Sequence, residues 1–472
     1  MSLFGTIRNL FRRPTSAVAA PAPGDWASHL GKSPDNNLAL MARQYGAYAG
    51  SFAAALKPDE DIDPWGLDSM AVNLIAPVVD TIVNLTISQG VSLTASDDPR
   101  QAFLDQVWKA NKIDSILYAS ALNGEIAGDT YLYIDRNDDP RFATIRVLDP
   151  RDVSVKVDRA TLKPLVYYVA GESEEKEKVI KTRQVIAAHE GQWLIADQVS
   201  YDDGKNYSTV SQTLWPFAWA PIQHCQGNPN PSDFHGQGIR LDALKLNDDA
   251  NFVLSNVKRT LRLHTHPTHV ISGVVTPKKP DGTEDRRFRL RLQPGKFLSL
   301  GGSVGGGPAP SVSTLTSQLH VTEAMAFADK ISAKIHDLYG LPDAAQMENL
   351  GQVTGTALKV RYSRAVARVQ AKQQLLGDLL ERVSACVLEL GGYGPDQEVV
   401  ATWPDPTPQN DLEKVQTASA LVGSGIMSKR TAAAEFGLDW DDEQTYLAEE
   451  RAAAQNIGAD LLAAFDQGRQ EA

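Results

Sequence analysis

Cysteine is nearly absent from this chain: Cys225 and Cys386 are the only two among 472 residues, and their wide separation matches no metal-binding or redox spacing. The pair implies a reducing compartment or indifference to redox. Long apolar runs are missing as well. No window approaches the roughly 18 uninterrupted apolar residues of a membrane span, so none is expected. The opening MSLFGTIRNLFRRPTS is basic and mildly amphipathic but lacks the apolar core of a secretory signal. It reads as a basic arm followed by an Ala/Pro linker, AVAAPAPGDW, with a weak partner or membrane contact left open. Positive charge is also in deficit, 46 Lys and Arg against 58 Asp and Glu for a net of −12, which at first argues against a nucleic-acid partner. What is present is ordinary: 42% hydrophobic and 22% charged residues, with a mean hydropathy of −0.27. That composition excludes a wholly disordered chain, a coiled-coil rod and a polytopic membrane protein. The length allows two to four structural units and a sizeable core.

Catalytic fingerprints are missing too. No G-x-S-x-G, H-E-x-x-H, kinase or Rossmann signature stands in a suitable setting. GGSVGGG (301–307) lacks the GK[ST] of a phosphate loop and reads as a linker. HTHPTH places His264, His266 and His269 close together, and a metal-dependent hydrolase built on His264 and His266 is the alternative from the enzyme class. Two side chains at i and i+2 on a helix diverge, however, so a helix-end cluster is the competing reading. Adjacent carboxylates such as Asp248 and Asp249 face different directions on a helix and read as solvated. No enzyme, cofactor or metal site is therefore expected.

Periodicity orders the chain. Organised structure is expected from near Asp63, with a helix over Leu67–Gln89 capped by Asp68 and further helices at about 99–111 and 113–127. Short β-rich runs at 131–135, 142–148, 153–157, 165–170, 179–188 and 192–197 predict an antiparallel meander, with ESEEKEK (172–178) at a hairpin tip. Helical spacing returns from Gly238 to about Leu263, through Leu241, Leu244, Asp248, Phe252 and Ser255, and Lys258, Arg259 and Arg262 fall in its last turns. A compact β-containing insert (267–310) follows. Its alternating RRFRLRLQPGKF puts Arg287, Arg289 and Arg291 on one strand face. A second long helix is predicted over Ser317–Tyr339, a polar loop over 343–355, and a third helix from Thr356 to about Leu390. That last helix bears an apolar stripe and a basic one formed by Arg361, Arg364, Arg368 and Lys372. EVVATW (398–403) is one more strand, and 409–472 reads as three helices. The charge is divided: the insert carries a net of +4 and the tail from Asp405 a net of −8.

Two stretches carry a resemblance: IHDLYGLPDAAQ with TGTALKVRYSRAVARVQAKQQLLGDLLERV, and VVATWPDPTPQNDLEKVQTASALVGSGIMSKRTAAAEFGL. A helix, a GLP turn, a loop, a TGxALK helix, a Trp/Pro-rich strand and a G-I-x-S-x-x-T helix pair in this order resemble the portal proteins of tailed bacteriophages, most closely the SPP1-type group. The likeness is good over about 240–450 and one of layout over 65–235. It implies an α+β, elongated, multi-segment subunit rather than independent domains. The implied division is an N-terminal arm and linker (1–62), an α/β wing (63–237), a stem helix (238–263), a clip (264–310), a second stem helix (311–342), a tunnel loop (343–355), a long wing helix and strand (356–404) and a helical crown (405–472).

The same resemblance implies a ring, a dodecamer, at the capsid vertex of the virion, assembled in the host cytoplasm, through which double-stranded DNA is packaged and ejected. Implied partners are the terminase large subunit, head-tail connector or adaptor proteins, the major capsid protein and a scaffold protein; another oligomeric virion structural protein is a further alternative. Lys258, Arg259 and Arg262 in the stem and Gln346, Asn349 and Gln352 in the loop are the expected DNA-channel residues, with salt bridges between subunits as the competing role. Arg286, Arg287, Arg289, Arg291 and Lys296 of the clip are expected to meet a partner or the adjacent subunit. Arg361, Arg364, Arg368 and Lys372 are expected to pair with a neighbouring subunit's acids. A conduit that gripped DNA would stall it, because each neutralised phosphate adds attraction; an acidic ring with sparse basic rows fits that demand.

Overall fold

The computed structural model describes residues 18–19, 38–57, 66–136, 143–175, 178–265, 268–272, 311–315, 321–342, 355–406, 411–436, 438, 440 and 443–449. In chain order these form β1 (Val18–Ala19), α1 (Leu38–Tyr48), α2 (Ala76–Ile87), β2 (Ser92–Ala95), α3 (Asp98–Asn111), α4 (Ile113–Ile126), β3 (Asp129–Asp135), β4 (Thr144–Leu148), β5 (Val153–Val157), β6 (Pro164–Glu175), β7 (Lys178–His189), β8 (Gln192–Ser200), β9 (Ser208–Trp215) and β10 (Ile222–Gln226). There follow α5 (Leu241–Thr265), β11 (Thr268–Ser272), β12 (Ser311–Leu315), α6 (Val321–Tyr339), α7 (Gly355–Leu390), β13 (Val399–Thr402), α8 (Asp411–Gly423) and α9 (Lys429–Glu435). Helix and strand are mixed, as expected.

The chain groups into two units, one of residues 1–349 with 363–406 and one of 350–362 with 407–472. In the first, three layers stack. The outer layer is an antiparallel sheet in the order β1-β9-β8-β7-β6-β5. Strict alternation sends Val155, Tyr167, Ile186, Ile195 and Trp215 to one face, where they meet Tyr131, Tyr133 and Ile222 of a second sheet, β10-β3-β4. The other face of β3 and β4 carries Leu132, Ile134 and Ile145 into a core with Leu104 and Trp108 of α3, Leu117 of α4 and Leu380, Val383 and Val387 of α7. Trp108 donates its indole N–H to Ser384 Oγ (3.1 Å), fixing α3 against α7. The small β13-β2 pair closes this core.

Local chemistry sets the boundaries. Asp97 caps α3 by accepting the Arg100 amide (3.0 Å) and also pairs with the Arg100 guanidinium. The helix expected over Leu67–Gln89 is shorter, and Asp68 does not cap it: Asn73 Oδ1 accepts the amides of Ile75 and Ala76 (3.0 Å each) at its start. Residues 66–75 serve a different purpose, described below. Described structure also begins earlier than Asp63, with β1 and α1. The acidic-basic run 172–178 lies largely within β6 and β7 themselves, which pair from Val166↔Ala187 to Glu175↔Lys178.

In the second unit, α8 ends at Gly425 (φ +74°) with Leu421 O accepting the amides of Ile426 and Met427, and Ser428 Oγ caps α9 by accepting the Thr431 amide (3.0 Å). Residues 443–449 are helical.

Candidate functional site

The α5–α6 pair is the feature on which the expected function turns, and the structure explains what holds it. The two helices pack together, and the strands that follow α5 and precede α6, β11 and β12, pair antiparallel from Thr268↔Leu315 to Ser272↔Ser311. Of the stripe anticipated on α5, Leu244 and Ser255 are buried and the rest is not. Leu241 and Phe252 are more than half exposed, and Leu261 is exposed too, whereas Asn247, Asn251 and Ser255 are buried.

Those three polar residues recur every four positions, and each accepts a backbone amide. Leu74 N–H donates to Asn247 Oδ1 (2.8 Å), Val72 N–H to Asn251 Oδ1 (2.7 Å) and Met70 N–H to Ser255 Oγ (2.7 Å). Four residues of helix rise about 6 Å, and two residues of extended chain span about 6.6 Å. The two repeats match, so residues 68–74 run antiparallel along α5 as a hydrogen-bonded strap. Asp68 ends the ladder. Its fully buried carboxylate accepts Arg259 Nε (3.0 Å) and Arg262 Nη2 (2.5 Å).

A second anchor of the same kind holds α7. Glu125, at the end of α4 and 1% exposed, meets Arg368 Nη2 (2.9 Å) and Lys372 Nζ (2.5 Å). Lys372 also donates to Gly227 O and Asn228 Oδ1 (3.0 Å each). Burial pushes the Lys372 ammonium below its ordinary value, against the opposing pull of Glu125. The space beside the pair, lined by Glu125, Lys372, Cys225 and Thr130, is about 20 Å³, room for one water. Arg368 lies over the Tyr339 ring (4.8 Å) and Arg364 Nη1 meets Asp337 Oδ1 (2.8 Å), which ties the end of α6 to α7. Gly340 (φ +74°) makes the turn there; a Cβ on it would stand 3.1 Å from Arg364 Cβ.

The start of α5 is fixed by a third cluster. Asp129, fully buried on β3, accepts His224 Nε2 (2.8 Å), His235 Nδ1 (2.8 Å) and the Gly236 amide (2.9 Å). The His224 ring is stacked between Tyr131 (4.8 Å) and Phe234 (4.2 Å). Burial lowers the His224 pKa; at His235 burial acts the same way, but the hydrogen bond and charge of Asp129 outweigh it and the value rises. Burial would raise the Asp129 pKa, and the two histidine hydrogen bonds reverse that. The arrangement locks the segment 227–240 onto β3. Gly128 (φ +87°) permits its backbone to pass Gln237, whose carbonyl carbon a Cβ would meet at 2.5 Å.

Of the expected site residues, Lys258 is solvent-exposed on α5. Arg259 and Arg262 meet Asp68 of their own chain. Arg364 meets Asp337, and Arg368 and Lys372 meet Glu125, within the chain; Arg361 also lies on α7. Gln346, Asn349, Gln352, Arg286, Arg287, Arg289, Arg291 and Lys296 lie outside the described residues. His264 closes α5, His266 is not described and His269 sits on β11; among the described residues no group of three or more His, Cys, Asp or Glu could hold a metal ion. No described helix is long and apolar enough to cross a membrane. Both cysteines are buried, and burial pushes each thiol up to about 12. The sequence signal that would have revealed the strap is the spacing of Asn247, Asn251, Ser255 and Arg259, polar residues on one helical stripe.

Comparison with known proteins gives the following likenesses. The portal protein of Bacillus phage SPP1 is 26% identical over 201 residues, a match covering 39% of this chain and 37% of that protein's length. Among solved structures, the neck of an empty gene transfer agent particle, computed with C6 symmetry, aligns over 86% of this chain and 96% of that one at 14% identity and a TM-score of 0.44. The neck of a native particle, computed with C12 symmetry, aligns over 84% and 99% at 16% identity and a TM-score of 0.44. The family model described as phage portal protein, SPP1 Gp6-like, matches residues 66–456, and the chain belongs to that family.

Proposed function

We propose that this chain is the subunit of a portal, a ring at the capsid vertex of a tailed-phage particle through which double-stranded DNA enters and leaves. The observation that carries the reading is the family match over 66–456. In this reading residues 63–237 with 356–404 are the wing, α5 and α6 the stem within 238–263 and 311–342, residues 264–310 the clip, 343–355 the tunnel loop, and 405–472 the crown. The ring is a dodecamer of roughly 600 kDa for 51.2 kDa chains.

The exposed surface of the helix pair supports assembly. Leu241 and Phe252 stand eleven residues apart, three helical turns, and therefore share a face of α5; Met325 and Phe327 are exposed on α6. Apolar side chains of this size on two adjacent helices are suited to burial against neighbouring subunits. Lys258, Arg259 and Arg262 of the stem and Gln346, Asn349 and Gln352 of the loop are the DNA-channel residues in this reading; Lys258 is solvent-exposed, and the two arginines are also paired with Asp68. One Lys258 per subunit becomes a ring of twelve positive charges in an acidic assembly, enough to guide a duplex without gripping it. The clip residues Arg286, Arg287, Arg289, Arg291 and Lys296 serve the adjacent subunit or a docking partner. Terminase large subunit, connector or adaptor proteins, the major capsid protein and a scaffold protein are the partners such a ring meets. The role is structural and conducting, not enzymatic, and its place is the virion.

Imaging of the purified protein tests this. Rings of about 600 kDa with an axial hole wide enough for duplex DNA are the expected result; monomers, or closed discs without a hole, would overturn it.

A further inference from the structure

The segment between β10 and α5 is a loop with its own neck and a titratable fastening at its tip. Reciprocal bonds close the neck, Gln237 N–H to Asn228 O (2.9 Å) and Asn228 Nδ2 to Gln237 O (2.7 Å). Just outside it, Gly227 N–H donates to Gly128 O (2.7 Å) and Ile239 N–H to Ile126 O (2.9 Å), so both ends are tied to the body independently of the tip. The tip, residues 229–236, carries the buried ring of Phe234. Gln226 of β10 holds it by donating Nε2 to the Asp233 and Phe234 carbonyls (2.8 and 2.9 Å), bonds that do not titrate. Asp129 holds it through His235 and the Gly236 amide, bonds that do. There is space on both sides of the tip, a groove of about 500 Å³ toward Leu40 and Met41 of α1 and a cleft of about 270 Å³ toward Asp378 and Arg382 of α7.

The fastening responds differently to one proton and to two. A single enclosed carboxylate serves two imidazoles: Asp129 Oδ1 accepts His224 Nε2 and the Gly236 amide, and Oδ2 accepts His235 Nδ1. With both rings neutral the trio bears one negative charge. A first proton belongs to His235, the more exposed ring (17% against 10%) and the one that also faces Asp233; the trio becomes neutral and the His235 bond becomes charge-assisted. A second proton must enter His224 at Nδ1, the ring nitrogen not bonded to Asp129. It makes the trio positive in a site closed to water, and the charges of His235 and of Arg382, whose Nη2 donates to His224 O (2.8 Å), oppose it. The remaining charged neighbours do not offset that charge at close range. Asp378 stands across the cleft, Arg240 and Asp242 of α5 pair with each other (2.7 Å), and Lys372 and Arg368, at the neck, are held by Glu125. Tyr45 of α1, within reach of the Asp129 charge, is kept neutral because burial raises its hydroxyl above the ordinary value. Phe234 covers one face of the His224 ring (4.2 Å), so lifting the tip is what admits water to a charged His224.

We propose that residues 229–236 are a proton-gated flap: the first proton on the Asp129 trio closes it, and the second opens it by lifting Phe234 from the His224 ring. The neck bonds and α5 stay in place, so the change is confined to the tip.

Hydrogen–deuterium exchange of the full-length chain across about pH 5 to 8 tests this, each rate being divided by the rate of an unstructured chain at the same pH. Protection of peptides covering 229–236 is expected to rise as pH falls through the first protonation and then to drop by at least ~10-fold, while peptides of β7 and β8 keep theirs. Protection that changes in one direction only, or a drop shared by β7 and β8, overturns the proposal. Two variants that still donate to Asp129 but do not titrate separate the steps. His224→Gln, whose amide nitrogen replaces Nε2, should keep the rise and lose the drop. His235→Asn, whose amide nitrogen replaces Nδ1, should lose the rise and move the drop to lower pH. A His224→Gln chain that shows the same drop as the unaltered protein, with β7 and β8 still protected, overturns the proposal.

Discussion

Asp68 and Glu125 occupy the same kind of site in different parts of the first unit. Each is a buried carboxylate held between two cations of one long helix, Arg259 and Arg262 of α5 for Asp68, Arg368 and Lys372 of α7 for Glu125. The surroundings differ. The cations at Asp68 are 21% and 36% exposed, so water shares in their solvation, whereas Lys372 is 9% exposed and sealed by Gly227 and Asn228. Asp68 closes a ladder of hydrogen bonds from a strap that covers α5. Glu125 stands alone, at the junction of α4, α7 and the segment leading into α5. The comparison teaches that basic residues on long helices are first of all attachments to the body of the subunit.

The largest effect is expected at the more buried site. Glu125→Ala leaves Lys372 and Arg368 without their carboxylate and should destabilise the subunit by about 3–5 kcal/mol, read from chemical denaturation. Asp68→Ala should cost less, about 2–3 kcal/mol, because both arginines can turn to water. Equal losses would break the distinction. Within the strap, Asn251→Ala removes one acceptor from a buried amide and should cost about 1–3 kcal/mol, with faster amide exchange at Val72.

A pH dependence follows from the cluster at Asp129. The raised pKa of His235 means that its contribution to stability is present below the ordinary histidine value of about 6.5 and is lost as pH rises through the folded value. The lowered pKa of His224 has the opposite sign: its stabilisation is present above about 6.5 and lost on acidification. His235→Gln should therefore lower the melting temperature most on the acidic side of the histidine range, with the gap to the unaltered protein narrowing as pH rises. The smallest effect belongs to Lys258→Ala, which should leave stability unchanged within about 0.5 kcal/mol while altering the salt response of DNA packaging. A packaging response identical to that of the unaltered protein would remove Lys258 from the channel.

Much of this architecture was legible in the sequence, because it is carried by apolar periodicity. α5, α6 and α7 end within about two turns of their expected limits, and the β6–β8 meander falls where Val, Ile and Tyr alternate. α1 was missed because its helix follows a Pro/Gly-rich linker and buries only Met41, Gln44 and Ala47. The strap was missed for a deeper reason. Asn247, Asn251 and Ser255 are buried to satisfy backbone amides, and a reading that seeks apolar stripes assigns such residues to solvent. Phe252 shares that helical spacing but is more than half exposed. Asp68, the partner of Arg259 and Arg262, lies nearly two hundred residues away, beyond the reach of any local spacing rule.

A double-mutant cycle between Asp68→Asn and Arg259→Gln, read from denaturation midpoints, tests most directly the claim that the α5 arginines serve the fold. The account predicts a coupling of at least about 1 kcal/mol, with the double variant less destabilised than the sum of the two single ones. Strictly additive losses would show that Arg259 does not depend on Asp68 and would contradict the account.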